Sequence, residues 1–198
     1  MSSLVKLELS WSVSVKVVGS FMQRRMLRDF YPYEFVEDVF SIDYQRLYEN
    51  GVRGIIFDVD NTLVPHGLNS TKAVDELFRK IHGLGFKTLL MSNNCEARIL
   101  RFKANIDTLY IHRAGKPNPD SYWNALSMMG LKKEETVVVG DQIFTDILGA
   151  NRAGIPNILV RYIGYRINEE TGWNRKGEKL LLFFYSLRKK YQHRLGLG

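Results

Sequence analysis

Gly54-Ile55-Ile56-Phe57-Asp58-Val59-Asp60-Asn61-Thr62 is the stretch on which the fold turns. Residues 54–57 carry no polar side chain, the pattern of a strand buried on both faces. Two carboxylates follow where that strand meets a loop. Asp58 and Asp60 are two residues apart, so on a strand their side chains would point to the same face. Like charges that close repel unless a cation or a shared proton sits between them. A metal-dependent site is the natural reading.

Working outward, the same theme repeats. Strand-like runs occur at 52–57, 86–91, 108–111, 136–139 and 157–160, and helical stretches lie between them at about 71–82, 96–104, 119–129 and 145–153. Asn118 before Pro119 is an N-cap with proline at the first helical position, and Gly83, Gly130 and Gly154 stand where helices should end. Within the third helix, Tyr122 with Trp123 and Met128 with Met129 read as core positions. Alternating strands and helices, with strands apolar along their length, predict a doubly wound, Rossmann-like α/β domain built on a parallel sheet. Ligands in such sheets bind outside the carboxyl ends of the strands, near the switch in strand order.

The polar residues obey that rule. Asp58, Asp60 and Thr62 follow the first run; Ser92, Asn93 and Asn94 the second; Lys116 the third; Asp141 and Asp146 the fourth. Any one group is weak evidence, because Asp, Ser and Asn are common in turns. Four groups converging on one sheet edge point to phosphoryl transfer from a monoester. The carboxylates make a hard oxygen site suited to magnesium, which binds substrate phosphate directly. Asp58 would act as nucleophile, forming an aspartyl-phosphate, while Asp60 would protonate the leaving alkoxide and then activate water. Ser92, with Asn93 beside it, and Lys116 would hold the phosphate oxygens.

These groups resemble the four motifs of the haloacid dehalogenase superfamily of phosphatases: Asp58-Val59-Asp60-Asn61-Thr62, the strand ending in Ser92-Asn93-Asn94, Lys116-Pro117, and Gly140-Asp141-Gln142-Ile143-Phe144-Thr145-Asp146. Tyr31-Pro32-Tyr33-Glu34-Phe35 and Gly149-Ala150-Asn151-Arg152 narrow the resemblance to the YqeG-type group, relatives of phosphatidylglycerophosphatases. The resemblance covers about residues 26–194. It implies that Asp58 is nucleophile and metal ligand, that Asp60 is acid/base with its backbone carbonyl on the metal, and that Asp141 is the remaining carboxylate ligand. It also implies that Asp146 supports the metal or Lys116. Phosphatidylglycerophosphate is the substrate it favours, with soluble phosphometabolites, nucleotides, phosphoproteins and a non-catalytic magnesium- or phosphate-binding scaffold as the alternatives. Superfamily members with a cap domain insert it between these motifs. The spacings from Asp60 to Ser92 and from Ser92 to Lys116 hold one helix and one strand each, so the site is expected to be uncapped and open.

Composition sets the surroundings. The chain has 198 residues, a formal net charge of +7 and one cysteine, Cys95. No internal disulfide can form, and a reducing, cytoplasmic setting is expected. The basic charge lies at the ends, with five Lys/Arg against two Asp/Glu over 1–30 and nine against three over 161–198, whereas 31–160 has fourteen against sixteen. No run reaches the roughly 18 apolar residues of a membrane span. Residues 1–25 alternate apolar and polar side chains and are expected to be a poorly ordered extension, with a single domain over 26–194. A helix over 178–194 would put Leu180, Phe183, Phe184, Leu187 and Tyr191 on one face, with basic residues near its end. It would either hold the enzyme peripherally on the inner face of a membrane or pack on the sheet. No platform of interleaved basic and aromatic residues points to nucleic acid. His66, beyond the first motif, is either in reach of a substrate or an ordinary loop residue.

Overall fold

The structure is a computed structural model and describes residues 27–163 and 173–197. The alternating segment at 1–25 lies outside the described residues. Six parallel strands form one sheet: β1 (Glu34–Val36), β2 (Gly54–Phe57), β3 (Lys87–Met91), β4 (Leu109–Ile111), β5 (Thr136–Gly140) and β6 (Asn157–Val160), in the order β1-β6-β5-β2-β3-β4. Their register pairs Ile56 with Leu89 on one side and with Val138 on the other. Connections run from β2 through β3 to β4, and the chain then returns to β5 on the opposite side of β2. The switch in strand order therefore falls at the carboxyl end of β2, where the two carboxylates begin.

Alternation along the central strands feeds two cores. Ile55, Phe57, Val137 and Val139 pack with Tyr44 and Leu47 of α1 (Tyr44–Glu49), Leu77, Phe78 and Ile81 of α2 (Lys72–Gly83), and Ile99 and Phe102 of α3 (Glu96–Phe102). Ile56 and Val138 face the other way, onto Tyr122, Ala125 and Met129 of α4 (Pro119–Met129) and Ala150 and Ala153 of α5 (Leu148–Ala153). Gly149 lets α5 approach α4, because a Cβ there would meet the Tyr122 ring at 2.5 Å. Local chemistry sets the helix ends. The Thr71 hydroxyl accepts from Val74 N–H and the Asn118 carbonyl from Asp120 N–H, while Gly130 ends α4 in the left-handed region at φ 61°.

The fold differs from expectation in four places. The aromatic run at 31–40 contributes an edge strand, β1, paired with β6 through Glu34–Ile158 to Val36–Val160. The helix expected from 145 begins as a π-helical turn, Ile143–Ile147, in which Gln142 O accepts from both Asp146 and Ile147 N–H before α5 starts. Trp123 and Met128 are not core positions: they stand 50% and 44% exposed, because α4 turns Tyr122, Ala125 and Met129 to the sheet.

The fourth difference is at the C-terminus. The helix there, α6, spans Trp173–Ser186 and not 178–194. Beyond it the chain makes a 3-10 turn at Lys189–Tyr191 and folds back along β1. Arg194 donates to the Tyr31 and Pro32 carbonyls and lies 3.5 Å over the Tyr33 ring. Tyr191 is buried against Tyr31 and Tyr185, so it leaves the face assigned to it by helical periodicity. No helix among the described residues is long and apolar enough to cross a membrane.

Candidate active site

Asp58 extends the pairing of β2 by one bond, donating its N–H to Val139 O. The chain then reverses at Asn61, a non-glycine residue at φ 69° whose amide oxygen accepts from His66 N–H. Asn tolerates this left-handed conformation better than most residues. The reversal carries Asp60 and Thr62 back over the strand end, and a single bridge pairs Asp60 with Val64.

Lys116 occupies the centre. Its ammonium donates to Asp58 Oδ1 at 2.5 Å, Asp146 Oδ1 at 2.7 Å and Met91 O at 3.2 Å, which uses all three of its donors. Asn93 holds that position from behind: its carbonyl oxygen accepts from Lys116 N–H and its amide donates to Lys116 O. Thr62 Oγ1 lies 3.0 Å from Asp58 Oδ2 and 3.2 Å from Asp141 Oδ1, so one hydroxyl bridges two carboxylates. Asp146 Oδ2 accepts from Gln142 N–H, a bond made possible by the π-helical turn. Gly140 is required beside it, since a Cβ there would fall 2.4 Å from the Asp146 side chain.

Asp58, Asp141 and Asp146 are all buried and place ligand oxygens within 4.8 Å of one another. Three carboxylates against one ammonium leave the centre short of positive charge. Burial pushes Asp58 up to about 6, with Asp146 pushing the same way and Lys116 and Thr62 pulling down. Burial alone would lower Lys116, but the charges of Asp146 and Asp58 outweigh it and raise its affinity well above the ordinary value. Asp58, Asp141 and Asp146 thus fit a hard divalent cation, which prefers carboxylate oxygens.

Asp60 takes a different place from the one its spacing implies. It shares a cavity of about 330 Å³ with Asp58, yet its carboxylate is engaged away from the acidic cluster, by Gly67 N–H at 2.9 Å and by Arg98 Nη2 at 2.8 Å. Burial would raise Asp60. The hydrogen bonds from Gly67 and Arg98, the charge of Arg98 and that of His66 prevail, and they hold the carboxyl below its usual range.

Ser92, Asn93, Asn94, Lys116, Gln142, Thr145 and His66 also line this cavity. His66 Nδ1 stands 3.8 Å from Asp60 Oδ1. Arg98 was not singled out by sequence, although one signal exists. A cation in the first turn of α3 opposes the helix dipole and calls for a carboxylate partner. The uncapped reading agrees with the chain path, which places only α2 between the first motif and β3, and only α3 between β3 and β4.

The HAD-hydrolase-like family model matches residues 113–179, which include Lys116, Asp141 and Asp146. The probable phosphatase YqeG of Bacillus subtilis strain 168 is 40% identical over 159 residues, covering 79% of this chain and 92% of that protein. Phosphatidylglycerophosphate phosphatase 1 of Arabidopsis thaliana is 29% identical over 140 residues, 65% of this chain and 40% of that protein. Among solved structures, the cobalt-bound deoxy-D-mannose-octulosonate 8-phosphate phosphatase of Haemophilus influenzae aligns with a TM-score of 0.46 at 16% identity, over 72% of this chain and 92% of that one. With nearly the whole Bacillus protein matched at 40% identity, the chain belongs to the haloacid dehalogenase superfamily of phosphatases, in its YqeG-type group.

Proposed function

We propose that this phosphatase is magnesium-dependent, works through an aspartyl-phosphate on Asp58, and acts on phosphatidylglycerophosphate. The observation that carries the chemistry is the double engagement of Lys116, whose ammonium bonds Asp58 and Asp146 at once. It aims the Asp58 carboxylate at the cavity and leaves a cation where the charge of a bound phosphate would fall.

Asp58 Oδ attacks phosphorus as the ester P–O bond breaks; Asp60, ionised in the free site, would have to take up a proton as substrate binds and would then give it to the departing alkoxide. Water then attacks the phosphoryl group, Asp60 takes the proton, and the bond to Asp58 breaks to release inorganic phosphate. The ionised Asp60 held by Arg98 and Gly67 is the form needed as base in that second step. Ser92 would hold a phosphate oxygen, and Lys116 would hold another by exchanging one of its present acceptors, such as the Met91 carbonyl, for it. Asn93, whose amide is bonded to the Lys116 backbone, would act by keeping Lys116 in place. Magnesium would be held by Asp58 and Asp141 with the Asp60 backbone, supported by Asp146 and Thr62. When bound it would screen the phosphate charge from the attacking carboxylate.

The lipid substrate is taken from the activity for which the Arabidopsis relative is named, and an uncapped site supports it. A second reading, a soluble phosphometabolite, is favoured by the cavity lining, in which every residue is polar or charged. Phosphate release from phosphatidylglycerophosphate and from a panel of soluble esters, each with magnesium and with chelator, separates the two. Turnover of the lipid ester at least about tenfold above every soluble ester is expected, a difference of about 1.4 kcal/mol in barrier. Preference for a soluble ester would overturn the substrate, and full activity in chelator would overturn the metal.

A further inference from the structure

The helix α6 has two apolar faces, and its own domain covers one of them. Leu181 and Leu182 pack toward Ile143, Ile147 and Leu159, and Tyr185 packs against Tyr31. On the opposite side Leu180, Phe183, Phe184 and Leu187 stand 58%, 58%, 39% and 65% exposed. Their spacing of three, four and seven residues places them on one helical stripe. Leu187 N–H still bonds to Phe183 O, so the stripe continues past the last residue of the helix. Four large apolar side chains in a row, all facing water, make a surface built for contact.

The charge around the stripe says with what. From Lys179 to the end of the chain there are five Lys/Arg and no Asp/Glu. Lys179, Lys189 and Lys190 are exposed in this segment, Lys179 next to Leu180 in the chain and Lys190 over the Tyr191 ring, while Arg188 is half-buried over Tyr31. An apolar stripe in a segment rich in cations suits the interface of an anionic lipid bilayer, where side chains enter the acyl boundary and the cations meet headgroup phosphates.

The position of α6 ties that face to the catalytic cavity. Glu178 Oε1 accepts from Ile143 N–H at 2.8 Å, directly after the loop in which Asp141 belongs to the acidic cluster and Gln142 lines the cavity. The cavity itself has no apolar lining for acyl chains. A lipid ester processed there would keep its chains outside this cavity, in the bilayer or along the separate apolar cavity that Phe35, Ile143, Leu159 and Leu182 line with Asp141 against α6.

We propose that the exposed face of α6, Leu180-Phe183-Phe184-Leu187 with Lys179, Lys189 and Lys190, seats the enzyme on an anionic lipid surface. This deepens the lipid-ester reading of the site and rests on it for the reason the contact exists.

The test is flotation of the full chain with vesicles of phosphatidylcholine alone and with added phosphatidylglycerol. The protein should float with the anionic vesicles and stay down with the neutral ones. Phe183→Ser/Leu187→Ser and, separately, Lys189→Glu/Lys190→Glu should each cut the bound fraction by about tenfold or more. Both variants should keep hydrolysis of a water-soluble aryl phosphate within about twofold, which reports an intact fold and centre. A wild-type protein that fails to float, or both variants floating as well as the wild type, overturns the proposal. So does a dimer that becomes a monomer in the apolar variant without any vesicle binding, since the face would then belong to a second copy. Flotation without hydrolysis of phosphatidylglycerophosphate leaves the docking face standing and removes the substrate. Hydrolysis in vesicles at wild-type rate by both variants does the reverse.

Discussion

Arg98 reaches one oxygen of Asp60 with two donors, Nε at 3.2 Å and Nη2 at 2.8 Å, while Nη2 also donates to Leu68 O. The guanidinium side chain is 3% exposed. A charge so deeply buried is tolerable only because it is paired and hydrogen-bonded. The pairing fixes both the place and the protonation state of the carboxylate assigned to proton transfer.

Removing that cation should therefore act on the step that needs the ionised carboxylate. In Arg98→Met, burial is opposed by fewer groups and the proton affinity of Asp60 rises. A higher affinity alone would make Asp60 a stronger base, but the carboxylate also loses the two donors that hold it in place, and this loss of positioning should slow hydrolysis of the aspartyl-phosphate by about 100-fold, the lower end of what general base catalysis contributes. The loss in kcat should exceed the loss in kcat/KM, because kcat/KM reports steps only through phosphorylation. With an aryl phosphate the check is a burst of phenol followed by a slow steady state; equal losses in both constants would show that Arg98 only supports the fold.

Asp58→Asn should lower turnover by on the order of 1,000-fold or more, since the amide cannot form the phosphoenzyme. The same change removes one of three clustered carboxylates. The metal-free variant should melt above the wild type at neutral pH, by a few degrees, as expected when a strained catalytic charge is relieved. Thermal melts in chelator, set beside phosphate release, measure both effects.

The proton affinity of Asp58 makes stability and metal binding depend on pH in a defined direction. Its folded value of about 6 lies above the ordinary 3.8. Between these values the folded state holds more protons than the unfolded one, so metal-free stability falls as pH rises through the window and the loss is complete above about 6. A divalent cation reverses the shift, because opposite charge favours the ionised form. Magnesium should release about half a proton at pH 6 and close to one as pH falls below about 5, binding more weakly along the way. Calorimetry in buffers of different ionisation enthalpy counts that proton.

Gly140→Ala tests the positioning of Asp146. The added methyl would sit 2.4 Å from the Asp146 side chain, which cannot withdraw without giving up Lys116 or Gln142 N–H. Overpacking of this kind costs about 1–3 kcal/mol. Activity should fall with stability, and magnesium affinity should drop in parallel, since Asp146 belongs to the cluster. A wild-type melting temperature with unchanged affinity would contradict the close packing at this strand end.

Legibility in the sequence follows the range of the interaction concerned. The five apolar runs became β2 through β6, and Thr71, Asn118-Pro119 and Gly130 cap helices where their chemistry says they should. β1 was not readable, because three residues at a sheet edge, Glu34–Val36, owe their strand identity to pairing with β6, more than 120 positions away. The run Leu180-Leu181-Leu182-Phe183-Phe184-Tyr185 is apolar all round, so periodicity cannot say which side packs. The neighbours Ile143, Ile147 and Leu159 decide it.

For the site, the sequence by itself determined which groups arrive at the catalytic edge. Asp58, Ser92, Lys116 and Asp141 follow apolar runs, and parallel strands must deliver their carboxyl ends to one side. The tertiary structure decided how those groups divide. Asp141 and Asp146 join Asp58 around Lys116, while Asp60, next but one in sequence, turns to Arg98. The order of strands along a chain sets convergence, but charge pairing in a buried site depends on distances through space, and these exist only once the sheet has closed on its helices.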